Sequence, residues 1–342
     1  MRYALSKNIQ QGDKLAKSIY ATDGRILLKS GVPLTVGLIS RLHHMGVHAV
    51  YLENETVTDI HIEEVVSDKT KKAAVAALAE SFRYVQNGGD LEVKSINQSI
   101  RAILEEVMLN QNILLNLTDI RTNDSELYHH SVDVCIMAVL TGAKLGLDQT
   151  KLHELGVGAL LHDVGKILPK TEQEENDHHT WRGFEFLRRN KEISTLSAHI
   201  ALAHHEFLDG SGKPRGLNAK EIHLLSKITA VVNYYDNLIS GKAAGSEALQ
   251  PYQACEHIMA LSNRRLAHQV VWIFLRTVAF YPTGAQVQLT TGDSGIIIRQ
   301  HTGLPQRPVV RVFRSFKSPG EYDMVDVDLA EKRTTFIKEI LE

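Results

Sequence analysis

His162-Asp163-Val164-Gly165-Lys166 closes an apolar run, Leu155 to Leu161, and joins two metal-ligand types to a cation. Asp163 and Lys166 are i and i+3, so on a helix they share a face. The apolar run can bury that helix and leave the polar tip at the mouth of a core. Imidazole, carboxylate and ammonium together suit a divalent metal with a phosphate beside it. Taken alone, the pentapeptide reads equally well as a polar helix end. Histidine placement adds weight. The chain has 17 histidines, and nine fall between His129 and His205, where uniform scatter would put about four. Metal ligation is one cause of such crowding, and polar helix faces are another.

Four further fragments share this stretch. Glu126 and His130 are i and i+4, so both can reach one ion from one helix face. His179 precedes Gly183 on a helix start. His204 and His205 are adjacent at a helix end, and on a helix they point about 100° apart, so each can serve a different metal. Asp209-Gly210-Ser211-Gly212-Lys213-Pro214 follows, a glycine-rich loop whose backbone N–H groups could converge on phosphate oxygens. A metal pair can deprotonate a bridging water near neutral pH and draw charge from a phosphodiester. Mixed histidine and carboxylate ligands suit iron or manganese better than a thiolate-type zinc site. His129 and His178 read as bystanders beside their neighbours. His153 and His199 read as packing or surface residues, and His43-His44 as a solvated helix face.

The positioning elements are mostly helical. The fold class read from the pattern is mainly α, an all-helical bundle with small β-containing modules at the N- and C-termini. Residues 1–62 form a small α/β module, with a turn at Thr22-Asp23-Gly24 and a helix from Thr35 to Met45 stopped by Gly46. Residues 63–118 form a helical connector, its first helix capped by Ser67-Asp68. Ile96, Ile100, Ile103, Val107, Asn110, Leu114 and Leu117 then follow 4-3-4-3-4-3 spacing, an a/d seam with one asparagine. The seam can serve a parallel homodimer or pack on its own domain, and its three-heptad length favours the second. Residues 119–281 form the next domain, in which every segment from Asp124 to about Ala279 reads as helix, with longer interruptions only around Asp209 to Leu217 and Gly241 to Gly245. Residues 282–342 turn to β, with strands at Gln286 to Leu289, Gly295 to Arg299 and Val309 to Phe313; the two end modules could pack into one platform. Across 342 residues the chain is 43% hydrophobic and 23% charged with net charge −2, an ordinary globular composition without the basic field a nucleic acid polymer needs. Two cysteines without a CxxC, no apolar leader and no long apolar stretch point to a reducing, cytoplasmic setting with no membrane span.

The five fragments together resemble the HD-GYP domains, a branch of the HD metal-dependent phosphohydrolases, over about Asp119 to Tyr281. The resemblance implies an HD-type helical bundle that hydrolyses cyclic di-GMP to pGpG and GMP with two or three divalent metals, usually iron or manganese. It implies His130, His162, Asp163, His179, His204 and His205 as metal ligands, and Glu126 as holder of an optional third metal. Asp163 and Lys166 would serve catalysis, Lys166 pairing with phosphate oxygens, and the Asp209 to Pro214 loop would line the pocket. Three positions depart from the family pattern. Lys213 stands in place of its tyrosine. Asn233 stands for a metal-ligating aspartate, offering only a neutral oxygen, with Asp236 one turn away as a conceivable substitute. Lys242-Ala243-Ala244 replaces its Arg-Pro-Tyr; Lys213 and Lys242 could still bind phosphate, though Lys242 lacks arginine's bidentate fork. Two functions follow: a cyclic di-GMP phosphodiesterase, or a degenerate domain that binds cyclic di-GMP or pGpG as a sensor with little turnover. A phosphohydrolase for another nucleotide is a third reading.

Overall fold

The computed structural model describes the chain except residues 22–24, 48, 54–59, 61, 117–120, 170–177, 243–247, 316–321 and 342. The chain forms two compact units: Met1–Glu64 with Asn112–Ser125 and Arg276–Glu342, and Val65–Gln111 with Glu126–Leu275.

The first unit holds both chain ends. Strand β1 (Arg2–Leu5) pairs antiparallel with β4 (Ala49–Leu52), and β2 (Ile19–Tyr20) with β3 (Ile26–Leu28). Helix α1 (Val36–His44) starts where the Thr35 hydroxyl accepts from Leu38 N at 3.3 Å. Thr22-Asp23-Gly24 lies outside the described residues. The C-terminal segment is an antiparallel sheet of β5 (Gln286–Leu289), β6 (Ser294–Arg299), β7 (Val309–Ser315), β8 (Tyr322–Asp328) and β9 (Ile337–Ile340), ordered β8-β7-β6-β5-β9. Tyr51, Ile60 and Ile62 from the N-terminal segment share one apolar cluster with Ile296 of β6, so the two end segments do form one platform. Burying these apolar side chains removes area from water at about 25 cal/mol per Å².

The second unit is helical: α2 (Asp68–Gln86), α3 (Val93–Leu109), α4 (Glu126–Lys144), α5 (Gln149–Leu161), α6 (His179–Leu187), α7 (Thr195–Ala203), α8 (Leu224–Ile239), α9 (Pro251–Leu261) and α10 (His268–Phe274). Its core runs through α4, whose residues from His130 to Gly142 are all buried, as befits a helix apolar nearly all round. The heptad seam resolves to packing within this unit. Ile96, Ile100, Ile103 and Val107 are fully buried, and Gly156 on α5 leaves the space that Ile100 fills. Asn110 ends α3 and donates to the Val65 carbonyl at 3.1 Å, while Leu117 lies outside the described residues. From Ile96 to Val107 the seam is therefore taken up by packing within this unit. No helix among the described residues is long and apolar enough to cross a membrane.

Candidate active site

The site begins where α5 stops. Its apolar residues bury it to Leu161, His162 caps it, and Val164–Lys166 form a single 3-10 turn. That turn keeps the expected i to i+3 contact, and Lys166 Nζ ion-pairs with Asp163 Oδ2. Two glycines then set the approach of α6. A methyl group on Gly165 would sit 1.8 Å from the His179 carbonyl oxygen, and one on Gly183 would sit 3.2 Å from Gly165 N. Only the absence of a Cβ lets the turn lie against the first residues of α6. Arg182 ties the contact, donating Nε and Nη2 to the Gly165 carbonyl at 3.2 and 3.0 Å. His178 caps α6 by accepting from Thr180 N, a structural role beside the ligand-type His179.

Around Asp163 two groups of ligand-type atoms converge: Asp163, His179, His204 and His205, and His130, His162 and Asp163, each group lying within 4.8 Å. Asp163 belongs to both. His204 and His205 fall in the same group, so the helix end does not split them between two centres. The protonation pattern follows from the hydrogen bonds. His162 Nδ1 meets the Ala159 carbonyl at 2.7 Å, and His204 Nδ1 meets the Ala201 carbonyl at 2.9 Å. A carbonyl only accepts, so Nδ1 carries the proton and Nε2 a lone pair. His130 Nδ1 donates likewise to Asp236 Oδ2 at 2.6 Å. Yet His130 Nε2 and His162 Nε2 are 3.1 Å apart. Asp163 Oδ2 lies 3.4 Å from His162 Nε2 and 3.5 Å from His130 Nε2. Buried Asp163 Oδ1 has no hydrogen bond, although His179 Nε2 and His204 Nε2 lie 3.2 and 3.6 Å away. Acceptors facing acceptors in a buried site repel unless a cation lies among them. The donor set thus fits divalent ions shared through Asp163, by nitrogen and oxygen ligands without thiolate.

Electrostatics keep these groups in ligand form. Burial lowers the His204 pKa to about 3 and also depresses His205, where the neighbouring His204 adds to the effect. Burial depresses His130 more than the Asp236 carboxylate raises it. Burial pushes the Asp163 carboxyl up, but positive charge at His162 and hydrogen bonding by the imidazoles of His162, His179 and His204 hold it well below the usual carboxylate range; with those imidazoles neutral, a cation would exert the same pull. Neutral imidazoles around an ionised carboxylate are what a cation requires.

A cleft of about 420 Å³ opens beside these groups, lined by Lys166, His204, His205, Phe207, Asn233, Tyr234, Asn237 and Lys242, among others. Its size is that of an ordinary small-ligand pocket, roughly 300–1,000 Å³. Asn233 is buried, and its Oδ1 accepts from Asn237 Nδ2 at 3.1 Å. Asp236 does not stand in for it as a ligand on that side: it lies behind His130, fixing that ring's tautomer and direction as outer partners of metal-bound histidines do. Glu126, one turn before His130 on α4, pairs with Lys242 Nζ at 3.3 Å.

The Asp209 to Lys213 loop is placed differently from a phosphate cradle. Asp209, Gly210, Ser211, Gly212 and Lys213 are not among the residues that line the cleft. The N–H groups of Gly210, Ser211 and Lys213 go to Phe207 O, Asp209 Oδ1 and His205 O. Those of Arg215 and Leu217 go to the buried Glu206 carboxylate at 2.7 and 2.9 Å. Gly212 is pressed onto Glu206 and Phe207, where a Cβ would fall 2.3 Å from Phe207 N. The loop thus braces the His204-His205 segment, with Lys213 N–H on His205 O and Arg215 and Leu217 N–H on Glu206. Local spacing could not reveal Asp236, Glu206 or the Lys242 contact, because each partner sits far along the chain or in an unremarkable context.

This geometry, an Asp163 shared between two groups of histidines brought together by four helices, defines a helical bundle with a candidate metal site. Comparison with known proteins places it. A family model described as an HD domain matches residues 120–270, and a second, a KOW domain associated with the HD domain, matches residues 286–342. A cyclic di-GMP phosphodiesterase of Pseudomonas aeruginosa is 32% identical over 280 residues, 77% of this chain and 66% of that protein. A cyclic di-GMP phosphodiesterase of Thermotoga maritima is 34% identical over 45% of this chain and 45% of that protein. A 3'3'-cGAMP-specific phosphodiesterase of Vibrio cholerae is 31% identical over 36% of this chain and 28% of its own length. The chain thus spans about two thirds or less of the length of these relatives. It belongs to the HD-domain proteins of the HD-GYP type.

Proposed function

We propose that this chain hydrolyses a phosphodiester bond of cyclic di-GMP, giving pGpG and/or GMP, with divalent iron or manganese held around Asp163. The observation that carries this is the convergence of unprotonated Nε2 atoms and an unbonded carboxylate oxygen on a carboxylate common to both ligand groups. In this reading His130, His162, Asp163, His179, His204 and His205 hold the ions, and Asn233 offers at most a neutral oxygen. The metals, when bound, supply an activated water and withdraw charge from the phosphodiester. The chain's own residues do the rest. Asp236 holds His130 in one tautomer, and the Glu206-anchored loop holds His204 and His205 in place. Lys166 and Lys242, which line the cleft, meet non-bridging phosphate oxygens as point charges. Lys166 and a metal compete for Asp163 Oδ2, so metal loading frees the ammonium for the substrate. Two unbridged, buried cysteines, Cys135 and Cys255, fit a reducing cytoplasm.

One observation favours a second reading, a sensor that binds cyclic di-GMP or pGpG with little turnover. Asn233 brings no charge to the cleft, and its oxygen is already engaged by Asn237. The test is metal analysis of anaerobically purified protein, with hydrolysis of cyclic di-GMP, pGpG and 3'3'-cGAMP followed in parallel. Turnover of cyclic di-GMP by iron- or manganese-loaded protein supports the enzyme; micromolar binding without turnover supports the sensor. Asn233→Asp should raise both metal content and rate. No change in either would remove Asn233 from the metal site.

A further inference from the structure

We infer that the ammonium of Lys242 is the resident cation of Glu126 and takes the place of a third metal ion, so that this chain is a two-metal protein. The inference rests on the metal-site reading above. Its first support is position. Helix α8 ends in a Schellman turn: Gly241 takes φ +71°, its N–H bonds Leu238 O at 3.4 Å, and Lys242 N–H bonds Asn237 O at 2.9 Å. That glycine C-cap ends the helix and fixes where the Lys242 side chain starts. From there Nζ reaches Glu126 Oε1 at 3.3 Å, with the carboxylate largely shielded from solvent and the lysine about half exposed.

Its second support is the ligand supply at that end of the cleft. Among the described residues Glu126 is in neither group of converging ligand atoms. A divalent ion seated on it would have to displace the ammonium. It would then find the neutral Asn233, whose oxygen is shared with Asn237, where the aspartate of the family pattern would add a charge. One carboxylate and one amide hold a hard divalent cation, which prefers several anionic oxygens, only weakly, so an ammonium already paired with that carboxylate keeps the ion out and its removal opens the position to excess ion. The lysine satisfies the same carboxylate without further ligands and leaves its remaining donors toward the cleft it lines.

The test counts ions. Wild type, Lys242→Met and Lys242→Met/Glu126→Gln are loaded anaerobically with Mn(II), desalted and analysed by mass spectrometry, with circular dichroism confirming each fold. Two equivalents are expected in wild type, three in Lys242→Met and two again in the double variant. Lys242→Gln serves as the uncharged replacement if the methionine variant does not fold. Three ions in wild type overturn the inference, as do two in a folded Lys242→Met protein, or a third ion retained when Glu126 is also changed. A wild type that takes up no manganese or iron overturns the metal-site reading itself, which separates the two failures.

Discussion

Asp236 is the sharpest test of how the site is built. Its Oδ2 lies 2.6 Å from His130 Nδ1, with both side chains almost fully buried. Replacing it with alanine leaves a buried N–H without its partner, which costs about 1–3 kcal/mol of stability. It also frees the imidazole to rotate or to exchange tautomers, so Nε2 no longer points reliably at Asp163. Losing one charge-assisted hydrogen bond is worth about 1.5–3 kcal/mol, and loss of an outer partner of a metal-bound histidine weakens metal affinity roughly 10- to 100-fold. The two routes agree, since a hundredfold is about 2.7 kcal/mol. Asp236→Asn keeps an acceptor at the same place but removes the charge. The expected order of Mn(II) affinity, measured by competition with a fluorescent chelator, is wild type above Asp236→Asn above Asp236→Ala. Equal affinity in all three proteins would refute the orienting role. Loss of thermal stability in Asp236→Ala without loss of metal affinity would reduce Asp236 to a packing residue.

Two further predictions test the frame around the site. Gly165→Ala drives a methyl group into the His179 carbonyl, at 1.8 Å in the unrelaxed backbone, so it should cost about 3 kcal/mol or more and weaken metal binding by displacing His179. Gly183→Ala, whose nearest atom would lie at 3.2 Å, should cost clearly less; equal melting temperatures for the two variants would contradict the contact. Glu106 accepts from Ser67 N and from the Ser67 and Thr70 hydroxyls at the start of α2. Burial raises its carboxyl, but the hydrogen bonds from Thr70 and Ser67 lower it more, so its folded pKa lies below the ordinary value. The contribution is therefore present above the unfolded carboxyl pKa and is lost as pH falls through the lower folded value. Glu106 is partly exposed, so solvent screening holds this to about 1 kcal/mol. The stability gap between wild type and Glu106→Gln, followed by thermal unfolding, should be open at pH 7 and narrow toward pH 3; a gap constant with pH would mean the charge is not what matters.

Much of the site was legible because its motifs are local. The Asp163–Lys166 contact and the His204-His205 helix end both follow from spacing within a turn or two. The heptad seam was legible as a buried stripe, but its partner was not, because a/d spacing marks an apolar face without saying what covers it. Helix α9 went unnamed although Pro251 stands at its first turn and Gln250 and Gln253 form a capping box; its buried residues are few and spread over only three turns. Strand β8 alternates Val325 and Val327 with Asp326 and Asp328, and acidic residues are depleted from strands, so its pattern gives a weak strand signal and it went unnamed. Strand β9 is four residues with two charges among them. The Asp236 bond to His130 spans 106 residues. No local pattern encodes such a contact; it emerges only when α4 and α8 pack.

The departures from the family pattern make sense together as charge balance. Lys166 and Lys242, which line the cleft, pair with Asp163 and Glu126, so these two carboxylates are neutralised by the chain itself. An aspartate at position 233 would add a third negative charge and raise the pull on divalent ions; Asn233 removes that pull and leaves the lysines in place. Attraction for a phosphodiester then has two separable sources. The lysines are permanent, because an ammonium stays with its chain, whereas the ions come and go with metal supply and pH. In the proposed reading, Lys242 would still attract a phosphate after loss of metal, although Lys166 would stay paired with Asp163, while turnover would stop with the loss of the activated water. That separation of binding from turnover is why the hydrolase and sensor readings share one geometry, and why the state of the metal, more than the shape of the cleft, decides between them.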